Sequence, residues 1–315
     1  VSMPPPVGGT AAPAVLARLQ LLITRRLDGL LQGEYLGLLP GPGSEAGESR
    51  AYHPGDDVRR MDWPVTARTT VPHVRLTEAD RELETWLAVD LSASLEFGTA
   101  QCLKRDLALA AAAAVTHLTV RGGNRVGAVV ARGSGPPRRL PARPGRRSAQ
   151  GLLRTIASPD TPPGEVDLAA LIDSLHRPPR RRGLAVVISD FLAPAEQWRR
   201  PLRKLAARHD VLAIEVLDPR ELSLPDVGVL ELLDPESGAT VEVQTADPRL
   251  RERYAAAAAA QRGEIEAALR RAGAAHLRLR TDSDWLADIV RFVAARRHAR
   301  SSGAARGAGL DREVT

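Results

Sequence analysis

The sequence predicts an α/β protein built on an open, mainly parallel sheet with helices on both faces. Two observations carry this. From Glu84 onward, apolar runs of strand length alternate with helical patterns over roughly 210 residues, as repeated strand–helix units do. Two of the runs, Glu84–Asp90 and Leu184–Asp190, are nearly continuous in apolar residues, as buried parallel strands are, and each ends in an acid.

The elements follow in chain order. Residues 1–12 are rich in proline and glycine and are expected to be disordered. Pro13 opens a helix to about Gln32, with Leu16, Leu19, Leu22, Ile23, Leu27, Leu30 and Leu31 at helical spacing. Proline suits the first helical turn. Gly33–Arg50 is glycine-rich and reads as irregular, and Tyr52–Ala67 is polar with turn chemistry at Pro54-Gly55. Residues 13–83 are thus expected to form an N-terminal helix and a polar segment that packs on an α/β domain at 84–298. In that domain the strand Glu84–Asp90 leads to a helix from about Cys102 to Val120, a strand at Arg125–Arg132 and a short hairpin partner at Arg138–Ala142. Helices at Ser148–Ala157 and Asp167–Leu175 precede the second apolar strand, Leu184–Asp190. Helix Ala195–Arg208, strand Val211–Leu217 and a hairpin over Val227–Val243 come next. A long Ala-rich helix, Pro248–Ala272, then strand His276–Arg280 and helix Asp284–Arg297 complete it. Residues 299–315 are rich in Gly, Ala and Arg and are expected to be a disordered tail.

Composition narrows the function classes. With 43% hydrophobic residues and 3% aromatics, the core must rest on Leu, Val and Ala. The single cysteine, Cys102, excludes an internal disulfide framework and a cysteine-based zinc site. No stretch approaches the roughly 20 apolar residues of a membrane helix, and the N-terminus lacks a basic-then-apolar signal pattern, so a cytoplasmic location is expected. Val1 is read as literal translation of an alternative start codon, with Met3 as another possible start. The formal charge is +6, yet only Lys104 and Lys204 are lysines among 44 cations, so arginine dominance reads as a compositional bias. The basicity is local. Arg138–Arg147, Arg177–Arg182 and the tail from Arg296 hold it, while the remainder is mildly acidic. Such loops are usually solvated, and no aromatic stacking face or known module accompanies them, which disfavours nucleic-acid binding. No phosphate-binding Gly-rich loop with its Lys is present either, so the chain is not itself a P-loop ATPase.

The chemistry concentrates at the two acidic strand ends. In open α/β sheets, ligands sit at the carboxyl ends of strands. The first strand runs into Asp90-Leu91-Ser92-Ala93-Ser94 and the second into Ser189-Asp190. A carboxylate followed by two hydroxyls on the turn can converge several oxygens, with Asp190 completing the set. Oxygen-only ligands suit a hard cation such as Mg²⁺ or a similar divalent ion. This Asp-x-Ser-x-Ser pattern resembles the metal-ion-dependent adhesion site of von Willebrand factor A domains, whose Rossmann-like open sheet matches the layout above. The resemblance makes Asp90, Ser92, Ser94 and Asp190 the metal-site residues. It also implies a threonine near the start of the helix at Asp167, where this chain has Val166; valine carries no oxygen, so weak cation affinity is expected. The competing reading is a solvated turn in which Ser92 or Ser94 caps the next helix.

A second block precedes the first strand. Gly37, Gly41, Gly43, Ser44, Glu45 and Arg50 lead into Tyr52-His53-Pro54-Gly55-Asp56-Asp57-Val58-Arg59-Arg60-Met61-Asp62-Trp63, then Thr66-Ala67-Arg68, Arg75 and Glu78. Together with the strand that follows, it resembles the bacterial "domain of unknown function fifty-eight" family over about residues 20–200. Membership implies a von Willebrand A-like domain and, by common association, a MoxR-type AAA+ ATPase or its client as partner, in a chaperone-adaptor role. By residue chemistry alone, Asp56, Asp57, Arg59, Asp62, Trp63 and Arg68 are candidates for interaction. Their mixed charges suit bidentate Arg–carboxylate pairs, read first as a self-contained network with the aromatics as its small core; the competing reading is a hydrolytic metal cluster of His53, Asp56, Asp57 and His73, whose spacing fits no zinc or two-metal pattern. The expectation is a non-enzymatic adaptor. The alternatives are a metal-dependent hydrolase using the same acids and nucleic-acid binding through the Arg-rich loops.

Overall fold

The structure, a computed structural model, describes residues 49–52, 61–75, 83–158, 164–176, 183–233 and 239–296. The expected helix at 13–32 and the two expected disordered ends lie outside the described residues. The described residues up to 75 and those from 83 belong to two separate compact units.

In the smaller unit β1 (Ser49–Ala51) pairs antiparallel with β2 (His73–Arg75). Met61 bridges to Val74, which is buried. Between them lies α1 (Trp63–Thr69), opened by Asp62, whose side chain accepts a hydrogen bond from the Val65 amide at 3.3 Å. It is closed by Thr70 in the left-handed region at φ 60°. The sequence reading of Tyr52–Ala67 as a polar segment with turn chemistry did not include this helix. At seven residues it is too short to show an apolar repeat, and tertiary packing rather than propensity holds such a helix.

The larger unit is built on a six-stranded sheet. Its strands are β3 (Glu84–Asp90), β4 (Arg125–Ala131), β5 (Arg138–Arg143), β6 (Leu184–Ser189), β7 (Asp210–Leu217) and β10 (Ala275–Arg280). They lie in the order β10-β7-β6-β3-β4-β5, all parallel except β5, which pairs antiparallel with β4 at the edge. The four inner strands are apolar nearly throughout, as strands covered on both faces must be. A separate ribbon of β8 (Val229–Leu233) and β9 (Thr240–Gln244) is the expected hairpin.

The helices are α2 (Lys104–Arg121), α3 (Arg146–Ala157), α4 (Leu168–Asp173), α5 (Ala195–Ala206) and α6 (Pro248–Ala272), with α7 over residues 285–296. On one face Trp86, Ala88, Val129, Val187 and Ala213 pack beneath α4, α5 and α6 through Leu171, Trp198, Leu202 and Leu269. On the other, α2 brings an alanine run, Ala110–Ala114, against the sheet. Small side chains let helix and sheet approach closely, and Thr119 donates to Thr85 at 3.2 Å across that contact. The ends carry ordinary signals: Asp247 caps α6, Pro248 sits in its first turn, and Gly273 at φ 81° stops it.

The connections place a crevice. β3 leads through α2 on one face to β4, whereas its neighbour β6 leads through α5 on the other face to β7. Adjacent strands whose following helices leave on opposite faces open a gap at their carboxyl ends, where open α/β sheets take ligands.

The β3–β6 pairing that makes this gap depends on a glycine. A Cβ at Gly183 would lie 2.1 Å from the Glu84 carbonyl oxygen, so any side chain there pries the two strands apart at their start. Gly183→Ala is expected to lower unfolding free energy by about 2 kcal/mol, within the usual cost of overpacking, as measured by urea denaturation. Unchanged stability would show that the pair separates freely.

Candidate functional site

The register sets the site. Val89 lies opposite Ile188, so Asp90 stands beside Ser189 and the loop that begins at Asp190. Asp90 accepts from the Ser92 amide at 2.9 Å with one oxygen and from the Ser189 hydroxyl at 2.7 Å with the other. The Ser92 and Ser94 hydroxyls are 3.0 Å apart, and Ser94 donates to Asp190 Oδ2 at 2.8 Å. Ser92 occupies the cap position of a short 3₁₀ turn, Ala93–Glu96, but its hydroxyl makes no cap hydrogen bond. The capping alternative for Ser92 is thereby set aside, since its oxygen is turned to the other site oxygens. Phe191 holds the left-handed region at φ 55°, a conformation that costs a bulky residue about 1–2 kcal/mol. Its ring, fully buried, meets Trp198 edge-on with centroids 5.3 Å apart. That anchor holds the tight turn in which Asp190 sits.

These residues form one wall of a cleft of about 790 Å³. Its other walls include Gly133–Pro137 from the β4–β5 loop, Glu165–Leu168 at the start of α4, and Leu192, Ala193, Pro194 and Gln197 leading into α5. Val166 lines it and offers no oxygen. Burial first, then the neighbouring Asp190 charge, pushes the Asp90 carboxyl up from 3.8 to about 6. Among the described residues no cation pairs with Asp90 and no group of three His, Cys, Asp or Glu forms a metal cluster. The donor set is two carboxylates with two hydroxyls, an oxygen-only array whose chemistry fits a hard cation.

Behind this wall lies a buried polar network. Lys104, 1% exposed, extends its ammonium to Asp190 Oδ2 at 2.8 Å and to Glu221 Oε1 at 2.5 Å. Arg262 donates to the Asp190 carbonyl at 3.2 Å and to Glu215 at 2.9 Å, and lies 3.5 Å from Glu221. Glu215, fully buried in β7, also receives His276 and Arg278, each at 2.8 Å. Burial alone would raise Glu215, but the His276 and Arg278 hydrogen bonds and the Arg278 and Arg262 charges outweigh it and hold the carboxyl at about 2. Asp218, just past β7, binds the Thr99 amide and hydroxyl, the Thr281 hydroxyl and the Arg220 amide. Burial, then Asp106 and Asp218, push the Cys102 thiol up to about 12, which disfavours the thiolate form.

The sequence-derived residues fare differently. Asp90, Ser92, Ser94 and Asp190 come together as their spacing implies. Asp56, Asp57 and Arg59 lie outside the described residues. Asp62 is buried and serves as the α1 cap. Arg68 lies exposed in the last turn of α1, where a cation complements the helix dipole. Trp63 is 66% exposed, so it does not form the small aromatic core that the network reading required. Of the Arg-rich segments, Arg138–Arg143 is the edge strand, where Arg139 stacks 4.0 Å over the Trp86 ring and donates to the Ser174 carbonyl at 2.8 Å; 177–182 lies outside the described residues.

Sequence reasoning missed Lys104, Ser189, Glu215, Asp218, Glu221 and Arg262. Two signals were available. Glu215 interrupts the apolar run Val211–Leu217, and Asp218 ends that run as Asp90 and Asp190 end theirs. Arg262 and Glu221 carry no such mark, because only the fold brings them to the crevice.

The fold and site together define an α/β protein with an acid-and-hydroxyl cleft at the carboxyl edge of its sheet. Residues 48–264 match the family described as "Protein of unknown function DUF58", and the chain belongs to that family. The match begins later than the sequence reading placed it and reaches further toward the C-terminus. The chain is 61% identical over 292 residues to "Uncharacterized protein Rv1480" of Mycobacterium tuberculosis (strain ATCC 25618 / H37Rv), covering 92% of this chain and 91% of that protein. It is 56% identical over 167 residues to "Uncharacterized protein MAV169" of Mycobacterium avium, 52% of this chain and 98% of that protein. Among solved structures, the conserved hypothetical protein BatB from Bacteroides thetaiotaomicron aligns with a TM-score of 0.42 at 17% identity, over 69% of this chain and 99% of that one. An aerotolerance-related membrane protein from Bacteroides fragilis NCTC 9343 aligns with a TM-score of 0.42 at 18% identity, over 70% and 97%. No helix among the described residues is long and apolar enough to cross a membrane.

The network behind the cleft predicts an acid-sensitive fold. Glu215 is held below its usual 4.5 at about 2, so its contribution is complete above pH 4.5 and drains away as pH falls toward 2. Glu215→Gln is expected to cost on the order of 3 kcal/mol at neutral pH, with the gap to wild type closing through that acid window. Urea unfolding at a series of pH values reads the gap; one that does not narrow with acid contradicts the assignment.

Proposed function

We propose that this protein is a non-enzymatic interaction module with a von Willebrand A-like domain, which docks a partner at the carboxyl edge of its sheet. The observation that carries the reading is the convergence of Asp90, Ser92, Ser94 and Asp190 on one wall of an open cleft. These residues would hold a divalent cation such as Mg²⁺, and the cation would offer an open coordination position to a carboxylate of the partner. Asp90 supplies the charge, being a buried carboxylate with no cationic partner among the described residues. The serines supply neutral oxygens, and Ser189 orients Asp90 through its second oxygen. With Val166 lining the cleft in place of a hydroxyl donor, the affinity for the ion is modest. By the family resemblance the partner is a MoxR-type AAA+ ATPase or its client, met in the cytoplasm as part of a chaperone-like assembly.

The test compares what wild type and Asp90→Ala retain from a lysate of the native organism in Mg²⁺. A AAA+ ATPase held by wild type and lost from the variant is the expected result, and equal recovery moves the docking surface elsewhere. Calorimetric titration with Mg²⁺ or Mn²⁺ is expected to give heat with wild type and none with Asp90→Ala; a silent wild type removes the cation from the proposal.

A further inference from the structure

We infer that Lys104 is the resident cation of this site, its buried ammonium compensating Asp190 and thereby limiting how tightly the strand-end oxygens take a divalent ion. The inference rests on the cation-site reading above and goes beyond it by naming the residue that tunes it.

Lys104 opens α2, is 1% exposed, and lies 2.8 Å from Asp190 Oδ2, the same oxygen that accepts Ser94. An ammonium there does for one of the two carboxylates what a bound cation would do, and it does so from inside the protein, on the side away from solvent. Composition adds a second, independent mark. Cations in this chain are arginine everywhere except at Lys104 and Lys204. At Lys104 the group must reach two acids from different elements with a single buried point charge, Asp190 after β6 and Glu221 at 2.5 Å beyond β7. A compact ammonium suits that geometry, and a planar guanidinium, built for paired parallel bonds, does not.

The charges then decide the consequence. Lys104 is shared between Asp190 and Glu221, and Arg262 among the Asp190 carbonyl, Glu215 and Glu221. Neither reaches Asp90, so the wall keeps enough negative charge to attract a divalent ion. The Lys104 ammonium repels that ion at short range in a poorly screened interior. Val166 supplies no compensating oxygen. The site is therefore set for weak, reversible occupation.

Two variants of the full chain test this with opposite signs, using Mn²⁺ as the probe in calorimetric and electron-spin-resonance titrations. Lys104→Met frees Asp190 and is expected to bind Mn²⁺ at least about tenfold tighter than wild type, given the strength of a nearby unit charge at low screening. Glu221→Gln keeps the ammonium but removes the acid that shares it, and is expected to bind more weakly than wild type. Lys104→Met binding no tighter than wild type overturns the inference and leaves the cation site standing. Silence in all three proteins overturns the cation site itself. Should circular dichroism show Lys104→Met unfolded, Glu221→Gln decides alone: affinity equal to or above wild type overturns the role assigned to Lys104.

Discussion

The parallel pairing of β3 with β6 is the contact on which the rest of the site depends. With Val89 opposite Ile188, two strands that each end in an acid finish side by side, and their carboxylates must share one buried wall. Two like charges in that position are unfavourable, and the surrounding chemistry answers it. Ser189 and the Ser92 amide bind Asp90, while Ser94 and Lys104 bind Asp190. A slip of one residue would turn Asp90 to the opposite face of the sheet, and the cleft would lose its acid.

The second layer of the arrangement is the ion network that holds Asp190 from behind. Lys104, Glu221, Arg262 and Glu215 come from α2, the turn after β7, α6 and β7 itself. Buried ion pairs are not reliably stabilising in net terms, yet breaking one partner is costly because the other is left charged in a poor solvent. Here the network ties four elements to the turn that carries Asp190. The strained backbone at Phe191 is held by the same surroundings, with Trp198 pinning the ring.

Much of this is legible in the amino-acid sequence. The alternation of apolar runs and helical patterns locates the sheet strands and long helices of the larger unit to within a few residues, because strands buried on both faces and helices with buried stripes leave strong patterns. The pair of strand-end acids and the Asp-x-Ser-x-Ser turn mark the candidate site, since the residues that leave a strand's carboxyl end are consecutive in the sequence. The smaller unit is less legible. Its helix spans seven residues and its strands three each, too short for periodicity to register, and the cap role of Asp62 shows only once that helix is in place.

The sequence by itself determined that two buried strands would end in acids, that hydroxyls would follow the first, and that Val166 would bring no oxygen. Tertiary structure alone decided that those strands are neighbours, that Ser189 orients Asp90, and that Lys104 reaches Asp190 from a helix 86 residues away in the chain. The reason is physical: a motif encodes what a turn can offer, whereas which charges meet in the interior depends on strand order and helix placement, and these follow from packing the whole sheet at once.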